Sequence, residues 1–532
     1  MVFSAITGSK RGILKGFENW LGKKHFGRER LTILLTLSII VYTVAFSSLS
    51  IQRHYAYNTR AWDLGIFTQS LWTTLNANRF LYYTCELIVN PSGAFFGVHF
   101  SPILFLILPL YGIVQSPSTL FVLQSFVLSL AAIPIFKLAS EKSGNRTVGL
   151  VFALAYLMYP PIHHVNVYDF HVQAFLPFFF GYTIYSLSKG DWTKYFVFVF
   201  LSLMCEEHVA WIVFFIGFYV GWKNRKGIIV ALKDKVFTNR KLLVAVSTMA
   251  LSVVWYLFTL WQRDTFFPVN PATMIEFLGS GNFGILGASN PLEVPILIIL
   301  KPWNAIQSLA NDGLLKIAFI VFMFGPLAFL SFKSPSSLIP AIPSFVFSLF
   351  SQSPFHHILG TQYPAYFAFF IFGAAILGLE RQSKNLKRFL TVIVGSSLVF
   401  FVCLSPFFPT VTLFPTDYDI ASFGEHEKLL NEVLRTVPAN ASILTQDNIF
   451  PHVSHRVDAY VVPDRWIHSD IREIAVEFTN QTMDRVEYVL VDSRTDFLAY
   501  ETVLFLLSSK PQFSLETSQD NGTILLYRQE LP

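Results

Sequence analysis

Charge is what this 532-residue sequence has little of: only 14% of it is Asp, Glu, Lys or Arg, against about 25% in soluble domains. Hydrophobic residues make up 53% and aromatics 16%, and the mean hydropathy is +0.49. A chain this apolar cannot keep its surface in water, which excludes a soluble globular protein and puts it in a lipid bilayer. The small net charge of +5 calls for no nucleic-acid partner. It follows if lysines and arginines sit on the cytoplasmic side of many spans. Cysteine is scarce as well. Cys85, Cys205 and Cys403 form no CxxC pair, so they suggest neither a zinc site nor a disulfide framework. A cleavable signal is also lacking. Seven Lys/Arg lie in the first thirty residues, and no A-x-A site follows the first apolar run at 31–50, so that run is expected to be an uncleaved span. There is no internal repeat and no low-complexity tract.

What is present is a series of long apolar runs. Those approaching the roughly 20 residues that cross about 30 Å of hydrocarbon lie at 31–50, 119–138, 148–164, 172–188, 242–262, 314–331, 336–352, 361–379 and 389–408. Two shorter runs, 195–205 and 208–222, flank Cys205-Glu206-Glu207-His208, and a third covers 102–114. Thirteen helical residues reach only about 20 Å, so 102–114 is read as a juxtamembrane helix in the interface plane. The positive-inside rule agrees with that choice. The segment 223–241 holds seven Lys/Arg against one acid, whereas 263–313 and 353–360 together hold two. The expected architecture is mainly α, a polytopic helical membrane protein of about eleven spans. It has a basic cytoplasmic N-terminus over 1–30, a multipass domain over 31–408 and a first outer loop over 51–118.

After residue 409 charge density rises and no spanning run remains. Residues 425–437 have helical spacing. The stretches 442–445, 459–462 and 488–492 read as short buried strands. A helix is expected over 495–508, and a hairpin of 513–517 with 523–528 across Asp520-Asn521-Gly522. This predicts a small external α/β domain over 409–532, so the C-terminus is extracytoplasmic and the protein sits in the cell membrane. Sequons at Asn440, Asn480 and Asn521 are compatible with that exposure.

Polar groups that are costly at membrane depth collect in the outer loops. Arg60, Asp63, Gln69 and His99 lie in the first, and His163, His164, Asp169 and His171 in the second. Glu206, Glu207 and His208 lie in the third, Arg263 opens the fourth, and His356, His357 and Tyr363 lie in the fifth. Buried ionisable groups cost several kcal/mol unless paired or used, so these are the candidate functional residues. Each also has a plainer reading. Outer loops are wet, and Asp63 precedes the amphipathic run 64–75, which it would equally cap. Ser101-Pro102 is a good helix start that His99 would anchor. Glu206 and Glu207 are adjacent, so on a regular helix they cannot both face one site. Asp63, Asp169 and Glu206 are candidate ligands for a divalent cation, and no other cofactor is suggested.

The run Asp63-Leu64-Gly65-Ile66-Phe67-Thr68-Gln69 with Trp72, then Gly97-Val98-His99-Phe100-Ser101-Pro102 and Leu108-Pro109-Leu110-Tyr111, resembles a family of uncharacterised prokaryotic multipass proteins, domain of unknown function two-zero-seven-nine. Tyr168-Asp169-Phe170-His171, Glu206-Glu207 and the stretch from Asn440 to His452 with His455-Arg456 extend the resemblance over most of the chain. More distantly, the layout is similar to the GT-C superfamily of glycosyltransferases that use lipid-phospho-sugars. Asp63 stands where that superfamily has its first outer acid, His99 to Pro102 where its juxtamembrane helix starts, and Asp169 where its second acid lies. The sequence lacks the Asp-Glu pair and the double proline of that pattern.

That resemblance implies a transferase with a polyprenyl-phosphate-linked sugar as partner. Asp63 and Asp169 would be catalytic. Arg60, Gln69, His99, His171, Glu206, Glu207, Arg263, His356, His357 and Tyr363 would bind substrate. A lipid or solute transporter (a flippase) is the alternative, although transporters tend to carry repeats. A non-catalytic scaffold presenting the C-terminal domain is the third reading.

Overall fold

The computed structural model describes residues 27–233, 239–270, 281–289, 292–381, 386–408 and 423–530. The expected basic N-terminus lies outside these residues except for its last four. Parts of the segments 223–241 and 263–313 and the boundary at 409 lie outside them too.

Four helices are long and apolar enough to cross a membrane: Glu29–Tyr55, Pro117–Ser143, Arg240–Phe266 and Leu386–Leu404. Two bent pairs, Arg146–Leu157 with Pro160–Val167 (45°) and Pro302–Ala310 with Gly313–Leu327 (74°), raise the count to six if each is one span. Eleven continuous crossings are therefore not what the described residues contain. Proline explains the difference, because it lacks a backbone donor and constrains the residue before it. The apolar run 336–352 divides into a 3-10 turn, Pro335–Ala341, and a short helix, Ile342–Phe350. The run 361–379 divides at Tyr363–Tyr366, ahead of Ala368–Glu380. In 172–188 the 3-10 turn Val172–Phe175 precedes the helix Leu176–Lys189, with Pro177 in its first turn.

The long helices turn apolar side chains outward. Val41, Val44, Val254, Leu257 and Val399 are each more than half exposed. A helix apolar on its outer face as well as its inner one is suited to lipid rather than water. Small polar residues face inward and join helices, as in Thr43 Oγ1 to Ser129 Oγ at 3.1 Å and Tyr195 OH to Thr248 Oγ1 at 2.9 Å. The short helix Leu104–Ile113 leaves Phe105, Leu106, Leu110 and Ile113 exposed.

The C-terminal region carries a five-stranded sheet in the order β2-β1-β3-β5-β4. β1 (Ile443–Thr445) pairs in parallel with β2 (Ala459–Val461) and β3 (Tyr488–Asp492). β5 (Ile524–Gln529) is antiparallel to β3 and to β4 (Phe513–Gln519). Helices Glu425–Thr436, Arg472–Met483 and Phe497–Ser508 accompany the sheet. β3 is buried along its whole length, as expected of an apolar strand with neighbours on both sides.

This domain sits on the segment that follows the first long helix. The backbone N–H of Ala61 donates to Asp447 Oδ1 at 2.7 Å, and Thr68 Oγ1 donates to Ser454 Oγ at 2.8 Å. Gly65 allows the closest approach: a Cβ there would lie 2.7 Å from Phe450 Cδ1. His54 at the end of the first helix stacks on His452 with ring centroids 4.2 Å apart.

Candidate functional site

Between the two parts lies a cavity of about 820 Å³. Its polar floor is Arg53, Arg60, Trp62, Asp63, Tyr168 and Asp169. One wall is apolar, with Leu315, Ala318, Phe319 and Phe322 from a bent helix pair, and another is the loop from Phe355 to Tyr363. The C-terminal domain contributes Asp447, Asp464, Arg465 and His468.

Asp63 is on a π-helical turn, Ala61–Gly65, that leads into the helix Ile66–Asn76. It does not cap that helix, since neither Arg60 nor Gly65 at the two N-cap positions makes a side-chain cap bond. Its Oδ1 instead accepts from His171 Nε2 at 2.9 Å. The wider π turn is frequent at functional sites, where it redirects a side chain from the regular helical track. His171 is itself fixed: its ring stacks on Tyr168 at 5.1 Å, and its backbone N–H donates to Gln124 Oε1 at 2.8 Å.

Asp169 is buried with a backbone φ of +108°, a conformation that is costly for a residue with a side chain. Gln124 over-determines it, its amide donating to the Asp169 carbonyl at 2.7 Å and to the Asn166 carbonyl at 3.0 Å. Asp169 Oδ2 accepts the Arg60 backbone N–H at 2.7 Å. Burial raises the Asp169 carboxyl to about 8; Arg53 opposes the shift and the nearby charge of Asp63 adds to it. Asp169 thus favours its protonated form at neutral pH. Across the cavity, the Arg60 guanidinium donates to Asp447 Oδ2 at 3.2 Å. Asp447 is raised in the same direction, by burial first and by Asp464 second.

The expected residues divide into four groups. Arg60, Asp63, Asp169, His357 and Tyr363 line the cavity, and His171 holds Asp63 from behind. Gln69 and His356 are buried supports. The Gln69 amide donates to the Arg456 carbonyl at 3.0 Å and its Oε1 accepts from Thr84 N at 2.8 Å, while His356 Nε2 lies 3.0 Å from Tyr363 OH. Arg263 pairs with its neighbour Asp264 at 3.4 Å and is not among the residues lining the cavity. The half-buried His99 and the buried Glu206 and Glu207 form a separate cluster.

The two glutamates converge, contrary to what a regular helix would allow. They occupy the turn between the helices Trp192–Leu203 and Val209–Lys223, where the 100° helical spacing does not apply. Among the described residues the group with metal-ligand spacing is accordingly His99, Glu206 and Glu207, within 4.8 Å of one another, rather than Asp63, Asp169 and Glu206. Burial opposes charge on His99, but Glu207, Glu206 and Glu86 outweigh it and raise the imidazole to about 9. Burial likewise opposes charge on Glu207, yet His208 and His99 hold its carboxyl well below the usual range.

Sequence reasoning missed Gln124, a lone amide inside an apolar run and so the kind of polar residue that merits attention at membrane depth. It also missed Asp447, Asp464, Arg465 and His468, which follow the C-terminal ends of β1 and β2. In open sheets with parallel strands, ligand sites gather at those ends.

The family described as predicted membrane protein (DUF2079) matches residues 53–525, a span that takes in the cavity floor, the apolar wall, the histidine-glutamate cluster and the C-terminal domain. No curated protein matches the chain. On a match that covers most of its length, the chain belongs to the DUF2079 family of membrane proteins.

Proposed function

We propose that the chain is an integral membrane glycosyltransferase of the GT-C type, moving a sugar from a polyprenyl-phosphate donor to an acceptor hydroxyl at the outer face of the cell membrane. In this reading the chain crosses the membrane eleven times by long and short helices together. The N-terminus is cytoplasmic, the 104–113 helix lies in the interface, and the sheet domain is extracytoplasmic.

One observation carries the reading. A single cavity of about 820 Å³ sets two carboxyls, Asp169 raised by burial among them, and several cations against an apolar wall. Lipid-linked sugars need both surfaces at once. The isoprenoid lies along Leu315, Phe319 and Phe322, and the phosphate meets Arg53, Arg60 or Arg465 through charge-assisted hydrogen bonds. The Asp63 carboxylate takes the acceptor's proton as its oxygen bonds to the anomeric carbon. The carbon–oxygen bond to phosphate breaks, and its electron pair leaves with the polyprenyl phosphate, whose charge the arginines stabilise. Protonated Asp169 donates a hydrogen bond without repelling that anion.

The test is transfer of labelled sugar from polyprenyl phosphate by purified protein in lipid nanodiscs. Turnover that falls sharply in Asp63→Asn supports the assignment. Unchanged turnover would remove Asp63 from the chemistry, and no binding or consumption of any lipid-linked sugar would overturn the class. Substrate flux across proteoliposomes without a covalent product would point to a transporter instead. Loss of function only on deletion of 410–532, with Asp63, Asp169 and Glu206 dispensable, would point to a scaffold.

A further inference from the structure

The histidine-glutamate cluster lies outside the cavity and plays no part in the transfer described above. His99, Glu206 and Glu207 each bring one ligand atom within 4.8 Å of the others, and His208 stands beside Glu207. His99 Nδ1 lies 3.4 Å from Glu207 Oε1 and 3.7 Å from Glu206 Oε1, and His208 Nδ1 lies 3.3 Å from Glu207 Oε1. Each carboxylate has its other oxygen occupied. Glu207 Oε2 accepts the Phe100 backbone N–H at 2.9 Å, and Glu206 Oε2 accepts the Tyr366 hydroxyl. Those bonds leave both Oε1 atoms facing His99 Nδ1. His208 Nδ1 is buried against Glu207 Oε1.

We propose that His99, Glu206, Glu207 and His208 bind a zinc-class divalent cation that ties the cavity wall to the outer loops. Nitrogen and oxygen ligands bind zinc at about 2.0–2.2 Å, so the corners of a tetrahedron around it are roughly 3.4 Å apart. The observed separations of 3.3, 3.4 and 3.7 Å match that edge. Two imidazoles with two carboxylates suit zinc or a neighbouring transition ion, whereas calcium and magnesium take oxygen ligands. The bonds from Phe100 N–H and Tyr366 OH are the outer contacts that metal-binding carboxylates ordinarily have.

The ion's place gives it a structural task. It joins the loop before the 104–113 helix, the turn at 204–208 and the turn Tyr363–Tyr366. Tyr363 of that last turn lines the cavity. The site stands whether or not the cavity transfers sugar.

The test is elemental analysis of full-length protein purified without chelator from cells grown in zinc-supplemented medium. About one zinc per chain is expected, with an X-ray absorption edge fitted by two nitrogen and two oxygen neighbours at about 2.0–2.1 Å. Glu206→Gln and His208→Asn should each lower occupancy at least tenfold, and Asp63→Asn should leave it unchanged. A chelator should lower the melting temperature of the wild type and not that of Glu206→Gln. If variants fail to fold, the wild-type zinc content and chelator response decide. Folded, monodisperse wild type without stoichiometric transition metal would overturn the proposal and leave a histidine-glutamate cluster held by protons.

Discussion

Two places where the chain gathers acids, the cavity and the histidine-glutamate cluster, neutralise them differently. Around the cavity, Asp63, Asp169 and Asp447 face arginines and one histidine, and the partners come from opposite ends of the sequence. In the cluster, Glu206 and Glu207 face two histidines and no arginine, and their remaining oxygens are used by neighbouring polar groups. The first arrangement leaves acids and cations lining open space, where a ligand can exchange for a contact. In the second, each glutamate oxygen already has a neighbouring partner. Burial alone therefore does not mark an active site; what matters is whether a buried acid adjoins room for another molecule.

The largest difference between the two places should appear in Asp63→Asn. It should lower sugar transfer by about 10²–10⁴-fold, the range for loss of a proton acceptor, while a thermal melt stays close to that of the wild type. Glu207→Ala should do the reverse. By breaking a buried charged network it should cost about 3 kcal/mol of stability, seen in denaturation, with activity falling only as folded protein is lost. Equal effects on melt and rate in both variants would erase the distinction drawn between them.

Gly65→Ala tests the seat of the C-terminal domain, since its methyl would overlap the buried Phe450 ring. Overpacking of this kind costs about 1–3 kcal/mol, and faster proteolytic release of the C-terminal domain is the expected sign.

The last contrast is in pH. Folding raises the Asp169 carboxyl from 3.8 to about 8, so it favours the protonated form. Its contribution to stability is complete below about pH 4 and is lost as pH rises through about 8. Melting temperatures measured from pH 5 to 9 should therefore decline less steeply in Asp169→Asn than in the wild type. His452 has the opposite sign. Burial, with His54 beside it, holds its imidazole well below the ordinary 6.5. Its contribution is complete above about pH 6.5 and is lost as pH falls toward the folded value, by roughly 1.4 kcal/mol per pH unit in that window. Domain release should therefore increase at pH 5, and His452→Phe should suppress the increase.

The C-terminal domain was the most legible part of the chain. Strands expected at 442–445, 459–462 and 488–492 are β1, β2 and β3 within a residue, and the hairpin turns at Asp520–Gly522. Short apolar strands bounded by turn residues announce themselves locally. The helix Arg472–Met483 went unread because its polar sequence has little apolar periodicity. In the membrane part apolar content was legible and continuity was not, because prolines at 335, 340 and 364 divide runs whose hydropathy is uninterrupted. Two of the loops expected on the outer side contain Asp63 and Asp169, which line the cavity. Their partners were invisible, because nothing local in Arg60 announces an Asp447 that is 387 residues away.

That distance also sets a schedule. A ribosome that has placed Arg60, Asp63 and Asp169 in the membrane still has to make more than half of the chain before Asp447 exists. During insertion the growing polypeptide presents a floor without a ceiling. Whatever chemistry the cavity performs begins only when synthesis is nearly finished, and a premature stop anywhere before β1 yields a protein that occupies the bilayer without its site.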